Sequence, residues 1–170
     1  MGDLVVVENS MVAFIFIIIL AFIVIFIVTC LNAIKKEKTK ISFKEGLDLT
    51  ELPIVTFYHK DIKLHFLLDT GSNISYIDSS ILDKLDAKDS NEVSNTIGVE
   101  GNEIRTHHYI IEVNYKDQFF EEKFGAVDLS ATFSAIEEES GIRLHGILGS
   151  KFFEEYKYVL DFKELIAYTK

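Results

Sequence analysis

Two patterns of hydrophobic and polar positions divide the chain. From Met11 to Leu31 it reads "MVAFIFIIILAFIVIFIVTCL", with no charged residue. Beyond residue 50 the apolar positions fall into short runs of strand length, separated by turn-forming residues. "IVTFYH" and "IKLHFLL" flank Lys60-Asp61 and predict a hairpin. "SSILDKL" predicts one or two helical turns capped by Asp78 or Ser79. "NTIGVEGNEIRTHHYIIEVNY" predicts two strands around "GVEG", and "QFFEEKFGAVDL" a further strand. "KFFEEY" predicts a short helical turn, and "YKYVLDFKELIAYT" a closing hairpin that turns near Lys163 and Glu164.

The apolar run sets the expected organisation. About 20 residues of helix span roughly 30 Å, the thickness of a bilayer core. A single transmembrane helix is therefore expected over 11–34, after a short segment 1–10 and before a basic juxtamembrane tether 35–52. The remainder, 53–170, is the expected globular domain. Lys35, Lys36, Lys38 and Lys40 follow the run, whereas Asp3 and Glu8 precede it. Positive charge stays on the cytoplasmic side, so the expectation is a single-pass membrane protein, N-terminus out, with a cytoplasmic domain and the lipid bilayer as partner. "MGDLVVVENS" has no Lys or Arg, as a secretory signal would, and Val6 does not suit a myristoylation signal. Pro53 stands where the first strand would begin, a position that needs no N–H.

Charge narrows the partners. The formal net charge is −10, with all but two of the 27 acids after the apolar run. Such an acidic domain excludes nucleic acid as a natural ligand. Cys30 is the only cysteine, so no intrachain disulfide forms.

The chemistry concentrates at residues 65–77, "HFLLDTGSNISYI". An apolar strand stops at Asp69, Thr70 and Gly71 follow, and apolar residues then resume. Alone, D-T-G reads equally as a turn, since Asp and Gly are ordinary turn formers. A second apolar-glycine segment, "HGILGSKFF", lies about 80 residues downstream, with a Gly-bearing hairpin at Gly98 to Gly101 between them.

Taken in order, "FLLDTGSNISYI", "IGVEGNEI", "GILGSKFF" and "YVLDFKELIAY" resemble a retropepsin-like aspartic protease, the single-lobed retroviral type. The resemblance covers 53–170. It implies a mainly β, closed-barrel acid-protease fold with one or two short helices. It also implies an aspartic endopeptidase without cofactor or metal that acts on a peptide or protein. Peptide hydrolysis by this route needs two carboxylates that share one proton about one water. The chain has one D-T-G, so the resemblance implies a homodimer with Asp69 from each subunit as the catalytic pair. It further implies that Thr70 bonds across the dimer axis and that Gly71 admits the backbone close to the carboxylates. Ser72 would donate to Asp69 and lower its pKa. Gly98, Val99, Glu100 and Gly101 would form a mobile flap, Gly146, Ile147, Leu148 and Gly149 a scaffold beside the site, and the last strand a dimer contact. The alternative is the same fold as a weakly active or inactive dimerisation and peptide-binding module.

Other candidates read as structure. His107 and His108 are adjacent and would point to opposite faces of a strand, which does not suit a shared metal. "EEES" (137–140) reads as a solvated loop, and the pairs Phe119–Phe120 and Phe152–Phe153 read as core. No G-x-S-x-G elbow exists for a serine hydrolase.

Overall fold

A computed structural model describes residues 17–28, 41–97 and 103–169. The chain divides into two units, residues 1–40 and 41–170. Within the first, helix α1 occupies 17–28 and its side chains are exposed. Those twelve residues span about 18 Å at the α-helical rise. Among the described residues no helix is long and apolar enough to cross a membrane. This overturns the expectation of a single-pass membrane protein with a bilayer-spanning segment over 11–34. The rest of that segment lies outside the described residues.

The second unit begins earlier than the hydrophobic pattern suggests. Where a tether is read from the sequence, helix α2 (Phe43–Thr50) is folded against the domain. The Ser42 hydroxyl accepts from the Glu45 N–H, and the Glu45 carboxylate accepts from the Ser42 N–H at 2.9 Å, a reciprocal cap. Phe43 is fully buried, and Gly46 lies so close to the carbonyl of Ile54 that a Cβ would stand 2.4 Å from its oxygen.

Strands β1 (Ile54–His59) and β2 (Ile62–Leu68) form the expected hairpin, with Lys60 in the left-handed region at its turn. Next come β3 (Ser75–Asp78) and a 3-10 turn (Ser79–Lys84), where Asp78 Oδ1 accepts from the Ser80 N–H. Then follow β4 (Lys88–Ile97), β5 (Glu103–Tyr115) and β6 (Gln118–Val127). Helix α3 (Ser130–Ser140), β7 (Gly146–Leu148) and helix α4 (Ser150–Glu155) precede a terminal hairpin of β8 (Tyr158–Asp161) and β9 (Ile166–Thr169). The order β1-β2-β7-β3-β6-β5 closes on itself through a β1–β5 pairing, which makes a six-stranded barrel with β4 flanking β5. The fold is mainly β, with more helix than expected. Residues 137–140 end α3 rather than forming a loop.

Alternation along the strands sorts two cores. Val55, Phe57, Leu64, Phe66 and Leu68 point inward, with Phe57 ringed by Phe66, Tyr115, Phe120, Phe152 and Tyr158 at centroid distances of 5.3 to 6.1 Å. Ile54, Leu67 and Ile147 face the other way and pack with Ile41, Phe133, Ile142 and Leu144 beneath α3. Phe120 is core as expected, but Phe119 is 68% exposed, because neighbours on a strand take opposite faces.

Candidate active site

Asp69 is the first residue beyond β2, half-buried at the mouth of a turn. Pairing continues one step past the strand, for the Asp69 N–H donates to the Leu148 carbonyl at 3.0 Å. The turn closes as the Ser72 N–H donates to the Asp69 carbonyl at 3.2 Å. The carboxylate is positioned from within the same turn, with Oδ1 accepting the Gly71 N–H at 2.8 Å. A Cβ on Gly71 would stand 3.1 Å from that oxygen, so the glycine leaves room for the carboxylate at close range. Thr70, between them, is exposed.

Ser72 does not do what the resemblance implies. Its hydroxyl donates to the Ile74 carbonyl at 2.7 Å, two residues along its own turn, rather than to Asp69. Its carbonyl is the more connected group and accepts both the N–H and the hydroxyl of Ser150, at 2.7 and 2.8 Å.

The scaffold glycines sit beside the turn. β7 lies parallel to β2, with Leu68 opposite Leu148, and antiparallel to β3, with Tyr76 opposite Ile147. Gly149 donates its N–H to the Ser75 hydroxyl at 3.1 Å, and the Lys151 N–H reaches the Asn73 carbonyl at 3.3 Å. The Asp69 turn is thus held by the backbone of Leu148, Ser150 and Lys151, and Gly149 ties the same segment to the Ser75 hydroxyl on β3. Gly98, Val99, Glu100 and Gly101 lie outside the described residues. The strands on either side of them pair antiparallel as far as Ile97 opposite Glu103. Strands β8 and β9 pair with each other.

Several polar groups escape a reading by motif. Glu122 lies on the inward face of β6 between Phe120 and Phe124 and is 5% exposed. Burial raises its pKa to about 7, against a lowering hydrogen bond from Ser75. The F-x-E-x-F alternation was the available signal, an acid on an otherwise apolar face. His108 is buried with Nε2 at 2.7 Å from the Ser94 hydroxyl, whereas His107 is exposed. On the outer face, His65 and His145 stand 5.5 Å apart, and Thr56 Oγ1 lies 2.9 Å from His65 Nδ1.

No family model and no curated protein sequence matches the chain. Among solved structures, the chain is similar to EIAV protease complexed with the inhibitor HBY-793, with 19% identity and a TM-score of 0.45 over 64% of this chain and 90% of that one. It is also similar to the retroviral protease-like domain of Ddi1 from Leishmania major, with 12% identity and a TM-score of 0.47 over 70% and 88%. A third is a retropepsin-like aspartic protease from Rickettsia conorii, with 17% identity and a TM-score of 0.40 over 64% and 75%.

Proposed function

We propose that this chain is an aspartic endopeptidase of the retropepsin type, active as a homodimer with one Asp69 from each subunit. The observation that carries the reading is the held carboxylate. Asp69 leaves a buried strand into a turn where Gly71 fixes one carboxylate oxygen and the 148–151 segment braces the backbone. The Oδ1 bond to Gly71 is an Asx turn, which Asp78, Asp89, Asp128 and Asp161 also make; the bracing of the Asp69 turn by residues 148–151 is the feature that an isolated turn lacks.

Across a twofold axis, two such carboxylates repel, so one holds a proton. The ionised one draws a proton from a water, which attacks the peptide carbonyl, while the protonated one donates to the carbonyl oxygen. On this reading Thr70, which is exposed, meets its mate across that axis. The reaction uses no metal or organic cofactor.

The test is Asp69→Asn in the purified chain against a library of internally quenched peptides, with specific activity followed as protein is diluted. Cleavage that disappears in the variant, and that falls steeply on dilution in the unaltered protein, supports the reading. Equal cleavage with and without the substitution sinks it. Peptide binding without turnover in the unaltered protein assigns the chain instead to the non-catalytic module.

A further inference from the structure

A cavity of about 520 Å³ opens beside the Asp69 turn and is separate from the carboxylate itself. That volume lies within the range of small-ligand sites. Its buried members are Ser75, His108 and Glu122, and Ile74 and Ser94 are half-buried. Its exposed members include Glu92, Lys123, Glu121 and Glu155.

The charges at the buried end are unbalanced. Glu122 is the only acid there, and a carboxylate this deep demands a positive partner or stays protonated. His108 does not supply it: burial lowers its pKa, so it is neutral at pH 7, and its Nε2 is engaged by Ser94. Lys123 is turned to Glu92, with Nζ 2.8 Å from its carboxylate. At the exposed end Glu121 and Glu155 add two negative charges and Lys151 one positive charge, which leaves the cavity negative.

We propose that this cavity is a binding site for an organic monocation, a guanidinium or alkylammonium group, seated on Glu122. The site has a mechanical link to the Asp69 turn. Ser75 and Glu122 both line the cavity, and the Ser75 hydroxyl accepts the N–H of Gly149, whose neighbours brace the turn. Occupancy therefore registers at Ser75 and Gly149. The inference stands independently of whether Asp69 hydrolyses peptides, since it requires no turnover.

The test titrates the full chain with n-butylguanidinium and n-butylammonium, and separately with a capped alanine peptide bearing one arginine. Binding is read by calorimetry and by the backbone amide signals of Ser75 and Gly149. Saturable binding is expected that tightens from pH 6 to pH 8, as Glu122 ionises. The other groups facing the cavity are Glu92 on β4, His108 on β5, Glu121 and Lys123 on β6, and Lys151 and Glu155 on α4. Of these, Glu92 is held below its ordinary value by Lys123, and His108 by burial. Glu122→Gln is expected to weaken binding by ~tenfold or more and to abolish the pH dependence. Binding of the free cations assigns a small-molecule ligand, and binding of the arginyl peptide alone assigns a basic side chain of a peptide; either supports the site. The proposal is overturned if no probe saturates below ~10 mM at pH 8, or if Glu122→Gln leaves affinity unchanged. Should that variant not fold, binding by the unaltered protein that fails to tighten between pH 6 and pH 8 overturns it equally.

Discussion

Gly149 presses against Ile74 so closely that a Cβ on the glycine would lie 2.4 Å from the Ile74 carbonyl oxygen. The contact is with backbone, which cannot swing aside as a side chain would. Gly149 itself has an ordinary extended conformation, φ −91° and ψ 177°, so the requirement is for space and not for an unusual backbone. Gly149→Ala is accordingly expected to destabilise the fold by at least about 3 kcal/mol, among the larger effects of a single substitution. Urea unfolding measures it. Peptidase activity, where present, should fall with it, because the wall that moves is the one bracing Asp69.

The Ser72 hydroxyl donates to the Ile74 carbonyl. Ser72→Ala should then cost about 1 kcal/mol, the usual worth of one such bond. The acidic limb of a pH–rate profile should stay where it is, because Asp69 loses no donor. If that limb shifts by a full pH unit, the Ser72 hydroxyl serves Asp69 during catalysis.

How much of this was legible depended on whether the signal was local. The β1–β2 hairpin and its Lys60-Asp61 turn follow from alternation on either side of two polar residues, and both are found. Asp78 as the cap of the 3-10 turn was equally readable. Helix α2 was missed although Ser42 and Glu45 carry a capping-box spacing, because its eight residues looked too mixed to be buried. Helix α3 offered less, since Leu129 at its start has no capping side chain, and only Gly141, in the left-handed region, marks where it stops. In the candidate site, Asp69 and Gly71 are legible because the turn they form is local, whereas Gly149 is marked only by its motif and answers a close approach by the Ile74 backbone. The Ser150 contact to the Ser72 carbonyl, 78 residues apart in sequence, and the Glu122 cavity could not be read, because they depend on how distant segments pack together.

Tyr158 is 5% exposed, and among the described residues its hydroxyl has no hydrogen-bond partner. Burial pushes its pKa far above the ordinary tyrosine value. The ring contacts to Phe57, Phe152 and Phe120 do not need the oxygen. Tyr158→Phe removes a desolvated hydroxyl and keeps the packing. It should leave stability unchanged or raise it by up to about 1 kcal/mol. A loss above that amount, measured by thermal unfolding, would mean the hydroxyl finds a partner in solution.

Two half-buried histidines and a buried glutamate on the two faces of the barrel wall pull stability in opposite directions with pH. His65 and His145 are both held down to about 4, chiefly by burial, then by Lys63 for the first and by His65 for the second. Both have an ordinary value of 6.5 when unfolded, so between pH 6.5 and 4 the unfolded chain binds more protons. Their contribution is complete above 6.5 and is lost as pH falls through that window. Glu122 behaves oppositely: its pKa rises from 4.5 to about 7, so its contribution is complete below 4.5 and is lost as pH climbs toward 7. Each unbalanced proton changes stability by at most about 1.4 kcal/mol per pH unit. Two histidines outweigh one glutamate below 6.5, and the glutamate acts alone just above it. Stability should therefore peak near pH 6.5. Glu122→Gln should remove the decline above the peak, raising stability at pH 8 and leaving it unchanged at pH 4. Substituting His145 with glutamine should flatten the acid side instead. Urea unfolding of the three proteins at pH 4, 6.5 and 8 separates these outcomes, and a Glu122→Gln variant no more stable than the parent at pH 8 would show that the carboxylate is not desolvated in the folded protein.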